Sequence, residues 1–332
     1  MENPEVTIIV PMWNERDHAR DCVQSLLDQD YEAVREILVV DGGSLDGTRD
    51  IIESFGGKVR LLDNPRRITA AAMNVGIQEC STDLFVRVDA HSTYARNYVS
   101  QSVKTMLETG ASVVGGPMRP VGTTPFGRAV AAVTTSVFGV GPGKFHFGAR
   151  MEEVDTVYLG TFHRDEVIAL GGYDEENFRR AGEDHELNFR ITKAGGRIIL
   201  DPDIHSTYTP RSNPRSLARQ YFNYGLCKVI TLRKHRALPS WRPLAPAGMV
   251  LTMVVWTTVF LVVGWWPMAV VLPTAYAVVV AALGLLFQRR VHVTWLDASR
   301  ALAICHWAYG LGFWRGIAGL MTRQPSRFVS GS

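Results

Sequence analysis

The sequence predicts an α/β domain with a mostly parallel twisted sheet flanked by helices. Interfacial helices and a C-terminal α-helical membrane segment follow it. Three observations predict this. Short β-branched runs alternate with helical spacings over residues 6–115, the order that builds a parallel sheet covered on both faces. Residues 1–203 carry 21 Lys/Arg against 31 Asp/Glu, a balance of −10, whereas residues 204–332 carry 14 Lys/Arg and one acid, Asp297, a balance of +13. Finally, Leu244–Phe287 runs 44 residues without an Asp, Glu, Lys, Arg or His. One helix needs about 20 apolar residues to cross a bilayer core.

The remaining composition narrows the class. At 332 residues, with 46% hydrophobic and 20% charged, the chain is too apolar for disorder or low complexity. Its four cysteines (Cys22, Cys80, Cys227, Cys305) are scattered, which argues against a disulfide framework or a structural zinc site. Met1–Thr7 lacks the charged start and apolar run of a signal peptide, so the front half is expected in the cytoplasm.

Element by element, Val6–Val10 reads as a strand ended by Pro11, and Asp17–Leu27 as a helix. Glu36–Val40 is a strand broken by Asp41-Gly42-Gly43-Ser44, and Asp46 can cap a helix over Thr48–Phe55. A strand at Val59–Leu62, a helix at Thr69–Glu79 and a strand at Leu84–Val88 follow. A helix over 95–108 and a strand at Ala111–Gly115 complete the series. In such sheets ligands bind at the carboxyl ends of the strands. Pro11, Asp41 and Asp89 all sit at those ends.

At that edge Asp41 can accept a hydrogen bond from a base N–H or simply form a turn. Asp89 and His91 can face one cation, or Asp89 can cap the next helix. Glu183 and Asp184 open a helical stretch, where acids serve the dipole or supply a general base. The glycine-rich loop Gly139–Gly148, with Lys144 and His146, suits a mobile flap. It lacks the GK[ST] ending of a P-loop, and neither G-x-S-x-G nor a dinucleotide-binding glycine motif is present.

In the rear half, Trp265, Trp266 and Pro267 divide the long apolar run into spans at about 244–264 and 267–287. The competing reading is a buried helical hairpin. Arg233, Lys234, Arg236 and Arg242 precede the pair, Arg289 and Arg290 follow it, and the turn is uncharged. Both flanks are therefore expected on the cytoplasmic side. Trp295–Met321 either spans or lies in the interface, with Arg323 and Arg327 beyond it favouring a cytoplasmic C-terminus. Asn213–Arg236 reads as one or two basic amphipathic helices. Leu217, Tyr221, Tyr224, Leu226 and Val229 oppose Arg215, Arg219, Lys228, Arg233 and Lys234, suited to an anionic leaflet. The expected division is 1–208 catalytic, 209–243 interfacial and 244–332 membrane.

Five motifs together resemble glycosyltransferase family 2, the inverting GT-A transferases. They are Thr7–Glu15 (TIIVPMWNE), Val39–Thr48 (VVDGGSLDGT), Ala72–Ile77 (AMNVGI), Arg87–His91 (RVDAH) and Gly182-Glu183-Asp184. The DAH triplet, residues 219–225 and the apolar tail look most like the succinoglycan-type exopolysaccharide transferases. The resemblance implies that Pro11, Asn14 and Glu15 line the nucleotide pocket and that Asp41 contacts uracil. Ser44 and Asp46 then lie near base and ribose, and Arg66 and Asn74 near the donor. Asp89 and His91 take the place of the family's DxD motif, and His205 is a further metal or phosphate contact. Asp184 is the catalytic base with Glu183 beside it. Gly160, Thr161, His163 and Arg164 match the acceptor-side segment. Gln220 and Tyr221 stand where relatives with a Q-x-x-R-W motif hold donor or acceptor. That motif is absent, which argues against processive polymer synthesis.

The expectation is a membrane-bound inverting transferase moving a hexose, glucose as first choice, from a UDP-sugar to a lipid-linked (polyprenyl diphosphate) saccharide. It uses Mg2+ or Mn2+, is in contact with membrane lipids and has no nucleic-acid partner. A homo-oligomer is left open. The alternatives are a polyprenyl-phosphate sugar synthase and a non-catalytic nucleotide-binding membrane protein.

Overall fold

A computed structural model describes residues 3–143, 148–237 and 241–321. The chain forms two compact units, Met1–Arg119 with Lys144–Tyr208, and Pro120–Gly143 with Thr209–Ser332.

The first unit contains, in chain order, β1 (Val6–Met12), α1 (Arg16–Leu27), β2 (Val34–Asp41), α2 (Thr48–Glu53), β3 (Arg60–Asp63), α3 (Thr69–Glu79), β4 (Leu84–Arg87), β5 (Ser92–Tyr94), α4 (Tyr98–Thr109) and β6 (Val113–Gly116). A two-residue strand, β7 (Arg119–Pro120), closes this run, and α5 (Pro125–Thr134) and α6 (Val137–Val140) belong to the second unit. The first unit resumes with β8 (Glu152–Glu153), β9 (Tyr158–His163), α7 (Arg164–Ala169), α8 (Glu183–Lys193), β10 (Ile198–Leu200) and β11 (Ser206–Tyr208). Eight strands form one sheet in the order β3-β2-β1-β4-β9-β6-β10-β8, and a smaller sheet runs β5-β11-β7.

The expected parallel core is present, since β1 pairs in parallel with β2 and β4, and β2 with β3. However, β9 lies antiparallel between β4 and β6. The alternation of side chains along β1 separates two apolar layers. Val6, Ile8 and Val10 join residues of α1 and α4 on one face, while Ile9 joins α3 and α8 on the other. Helix α3 sits so close to β1 that a Cβ on Gly76 would lie 2.4 Å from Ile9 Cγ2.

The first strand continues past the expected stop. Pro11 pairs with Val40 and Met12 with Asp41. On the other side, β4 stays in register with β1 only as far as Ile9↔Arg87. Pro11 therefore lies beyond that ladder, where its missing N–H breaks no bond.

In the second unit, α9 (Pro214–His235), α10 (Leu244–Val262), α11 (Trp266–Val291) and α12 (Trp295–Met321) are four long helices. Among the described residues only α10 and α11 are long and apolar enough to cross a membrane. Their 19 and 26 residues correspond to about 28 and 39 Å at 1.5 Å per residue. Most of their surface is exposed, unlike that of a buried hairpin. Helix α11 overruns the expected end at Phe287, because Arg289 and Arg290 are favourable in a last helical turn.

The stretch 213–236 forms one helix, capped where Asn213 Oδ1 accepts from Ser216 N at 2.9 Å. Its buried stripe is Leu217, Tyr221, Gly225, Cys227, Val229 and Thr231, and Tyr224 faces outward. That stripe meets α12 backbone to backbone. A Cβ on Gly225 would lie 2.0 Å from Tyr309 O, and one on Gly312 the same distance from Phe222 O. Small residues allow this approach. His306 of α12 donates from Nε2 to Phe138 O at 2.6 Å, which leaves Nδ1 to accept from Tyr276 OH at 3.1 Å. Lys144 and His146 of the expected flap, and Arg323 and Arg327, lie outside the described residues.

Candidate active site

The carboxyl ends of β1 and β2 are laced together by their loops. Asn14, in the left-handed region at φ 54, donates its N–H to Ser44 Oγ (2.8 Å) and accepts from Leu45 N (3.0 Å). Glu15 N reaches Thr48 Oγ1 (2.9 Å) and Arg16 N reaches Asp46 Oδ2 (3.1 Å). The start of α1 is thus capped from the other loop. Ser44 and Asp46 have definite structural partners at the edge where the sequence places a nucleotide.

Asp41 ends β2 and is 1% exposed. Its Oδ2 accepts from Gly43 N (2.9 Å), Ser44 N (3.0 Å) and Arg49 NH1 (3.0 Å), and its Oδ1 from Ser44 Oγ (2.5 Å). Burial alone would raise its pKa, but the bonds from Ser44, Arg49 and Gly43 prevail and hold it below the usual carboxylate range. The turn-forming role is therefore realised, and a lone pair on Oδ1 remains for a base N–H.

Asp89 follows β4 and is one-fifth exposed. Glu15 Oε1 lies 3.8 Å from His91 Nδ1, and His91 stands edge-on to Tyr208 at 5.8 Å. The Cys22 thiol donates to Asp89 O at 3.6 Å. Burial first, then Asp89 and Glu15, push that thiol's pKa far up, which removes Cys22 as a nucleophile. Among the described residues no three His, Cys, Asp or Glu side chains gather into a metal cluster. Asp89 and His91, two residues apart at the strand end, nevertheless offer a hard carboxylate oxygen and an imidazole nitrogen, donor types that fit Mg2+ or Mn2+, and they would be the residues to hold such an ion.

Glu183 and Asp184 open α8 after Gly182 (φ 84). Their environments differ. Asp184 is more than one-third exposed and accepts from His185 N at 2.7 Å. Glu183 is buried and accepts from Arg87 NH2 at 3.0 Å. Burial and the adjacent Asp184 raise the pKa of Glu183, with Arg87 acting against them.

Arg87 is the residue that sequence reasoning missed as a site residue. It is 4% exposed at the carboxyl end of the buried strand β4, and an arginine inside Leu-Phe-Val-Arg-Val was the available signal. Its guanidinium stands 3.8 Å from Asp89, 3.0 Å from Glu183 and 3.9 Å from Asp184, with Tyr173's ring at 5.6 Å. Burial opposes its charge, but Tyr173, Asp184, Glu183 and Asp89 outweigh that and keep it protonated.

A second group converges on Glu175. Asn74 Nδ2 donates to Glu175 Oε1 (2.6 Å) and Tyr173 O (2.9 Å), while Asn74 Oδ1 accepts from Tyr173 N (2.8 Å). Arg66 pairs with the same Glu175. These two expected donor residues therefore meet, and Asn74 clamps the loop that carries Tyr173.

Other expected residues lie apart. In β9, Gly160 pairs opposite Arg87 at the site end, but Thr161 is fully buried inside the sheet. His163 pairs opposite Leu84, at the amino end of β4. Five residues of strand separate that position from Asp89, about 16 Å. Arg164 donates there to Ile77 O at 3.2 Å. The antiparallel direction of β9 takes His163 and Arg164 to the far edge, so they correct the acceptor-side expectation. His205 O accepts from Ala95 N, whereas His91 flanks the Ser92↔Tyr208 end of the same pairing. The two histidines stand about four residues apart along the strands, about 13 Å, which is too far to share one ion. Gln220 and Tyr221 belong to the second unit. There Gln220 Nε2 donates to Tyr224 OH (2.9 Å), and Tyr221 lies in the apolar packing.

Residues 7–151 match the model of the glycosyl transferase family 2. The chain is 34% identical to the succinoglycan biosynthesis protein ExoA of Rhizobium meliloti over 93% of each chain. It is 26% identical to a dolichyl N-acetyl-alpha-D-glucosaminyl phosphate 3-beta-D-2,3-diacetamido-2,3-dideoxy-beta-D-glucuronosyltransferase of Methanococcus voltae, over 69% of this chain and 74% of that one. Among solved structures, a mannosyltransferase of Pyrobaculum calidifontis, in complex with GDP-Man and Mn2+, shares the fold. Its TM-score is 0.61 at 19% identity, covering 95% of this chain and 88% of that one. With a glycosyltransferase sheet, acids at its strand ends and a relative matched nearly end to end, the chain belongs to glycosyltransferase family 2.

Proposed function

We propose that the enzyme transfers one hexose, glucose as first choice, from a UDP-sugar to a lipid-linked saccharide at the cytoplasmic leaflet, in the synthesis of a cell-surface or exopolysaccharide glycan. The observation that carries this reading is the pair Asp89 and Asp184, brought from a strand end and a helix start to the two amino groups of one buried guanidinium. Asp184, the more exposed acid, takes the proton from the acceptor hydroxyl as that oxygen attacks the sugar C1. Displacement in line inverts the anomeric centre, so an α-linked donor gives a β-linked product. Asp89, with His91 two residues on, would hold Mg2+ or Mn2+, and such an ion supplies charge neutralisation to the leaving nucleotide. Asn14, Ser44 and Asp41 shape the nucleotide edge.

The names of the relatives support the substrate classes. One is a succinoglycan protein, one acts on a dolichyl-phosphate-linked sugar, and the structural neighbour binds a nucleotide sugar with Mn2+. The exposed apolar helices α10 and α11, with cations on both flanks, support a two-span anchor with a cytoplasmic catalytic unit.

Nucleotide release tests the reading. UDP-glucose, UDP-galactose, UDP-N-acetylglucosamine and GDP-mannose would be supplied to the full chain in native lipid extract, with Mn2+ or EDTA. Release that needs metal and lipid, and that Asp184→Asn lowers by about 100-fold or more, is the expected result. An Asp184→Asn enzyme with near-full activity would point instead to a polyprenyl phosphate acceptor, already an anion. Release from none of the donors with any extract would remove the reading.

A further inference from the structure

The same unit contains two arginines, Arg87 buried and Arg190 largely so, that differ in how they are held. Arg190 has a hydrogen bond at every nitrogen of its guanidinium. It gives bonds to both oxygens of Glu186 (2.8–3.0 Å), to Leu170 O (2.7 Å) and to Gly172 O (2.7 Å). That is the pattern of an arginine that holds a fold together. Arg87 makes one hydrogen bond, to Glu183, and its Nε and NH1 are buried without one. Its other partners are carboxylates at 3.8 and 3.9 Å, the distances of charge balance rather than hydrogen bonding. It is centred among charges.

Its surroundings keep it there. Asn74 grips Tyr173 by both backbone groups, and Arg190 grips Leu170 and Gly172 just before it. The Tyr173 ring is thereby fixed against the guanidinium. The two acids that Arg87 faces at longer range are the donor-side Asp89 and the acceptor-side Asp184.

We propose that Arg87 is a positioning residue for sugar transfer: its guanidinium stands between Asp89 and Asp184, sets their separation, and anchors the first turn of α8 through Glu183. This rests on the transferase reading of those two acids. Without the cation, three carboxylates repel one another and α8 starts from a different place. The acceptor hydroxyl then meets a displaced base, while the nucleotide edge built by Asn14, Ser44 and Asp41 is untouched. A displacement of about 1 Å at reacting groups costs about 100-fold in rate. The loss should fall on kcat and not on donor KM.

The experiment compares wild type, Arg87→Gln, Arg87→Lys and Asp184→Asn as full-length enzymes in native lipid extract. It measures kcat and donor KM by nucleotide release, binding of UDP with Mn2+ by calorimetry, and the thermal midpoint. Arg87→Gln should lose about 100-fold in kcat with KM and UDP–Mn2+ binding within about threefold. Arg87→Lys, which keeps the charge but not the planar fork, should recover about tenfold of that loss. Turnover abolished in Asp184→Asn but kept within about threefold in Arg87→Gln would overturn the proposal alone. So would a parallel loss of UDP–Mn2+ binding and kcat. Wild-type turnover that survives Asp184→Asn would remove the base reading and the proposal with it. If Arg87→Gln does not fold, Arg87→Lys decides by kcat: wild-type turnover overturns the proposal, and a tenfold loss with UDP–Mn2+ binding intact supports it.

Discussion

Two adjacent acids at the start of α8 both face Arg87 yet differ, because Glu183 is buried and hydrogen-bonded to it while Asp184 is partly exposed and stands 3.9 Å away. Asp41 illustrates the same dependence on surroundings. Its depressed pKa means that its stabilising contribution is complete above the ordinary aspartate value, about 3.9. It is lost as pH falls through the lower folded-state value. Asp41→Asn should therefore cost about 1–3 kcal/mol at pH 7, and the gap to wild type should narrow below about pH 4. A series of thermal midpoints against pH measures this, and a gap of constant size would contradict it. Asp41 and Asp89 were legible in the sequence because each closes an apolar run. Arg87 and Tyr173 were not, because their contacts join residues 86 positions apart and no local period records that.

At the scale of elements, helices were read more closely than strand directions. Helix α3 begins and ends as expected and α12 begins as expected, since apolar spacing is a local signal. The direction of β9 is not local. His163 and Arg164 match the acceptor-side segment by resemblance alone, and no local pattern tells that β9 carries them to the amino end of β4, opposite Leu84. Helix packing offers a direct check. Gly312→Val would drive a side chain into Phe222 O, whereas Gly248 has nothing within 4 Å of its Cβ position. Gly312→Val should lower stability by about 1–3 kcal/mol, seen as earlier proteolysis and a lower thermal midpoint. Gly248→Ala should match wild type.

For the whole molecule, the charge split is the most informative sequence feature, because it separates the acidic sheet unit from a basic helical one. The composition did not reveal that residues 120–143 cluster with the C-terminal helices, an association made by α5 and α6 across a long stretch of chain. The membrane reading predicts sidedness. All four native cysteines are buried, so a new cysteine reports cleanly. A cysteine at Gly264, in the turn between α10 and α11, should react with an impermeant maleimide added outside intact cells. A cysteine at Arg236 should react only after permeabilisation. The reverse pattern would invert the topology.

The backbone contact between α9 and α12 has a consequence for biosynthesis. Helix α9 leaves the ribosome many residues ahead of the partner that fills its stripe at Gly225 and Val229. Until α12 is made, that strip of apolar side chains and close-packing glycine has no permanent cover. A chain stopped before Trp295 would retain every residue of the candidate active site yet display the uncovered strip. Quality-control proteases should clear such a product faster than one stopped after Met321.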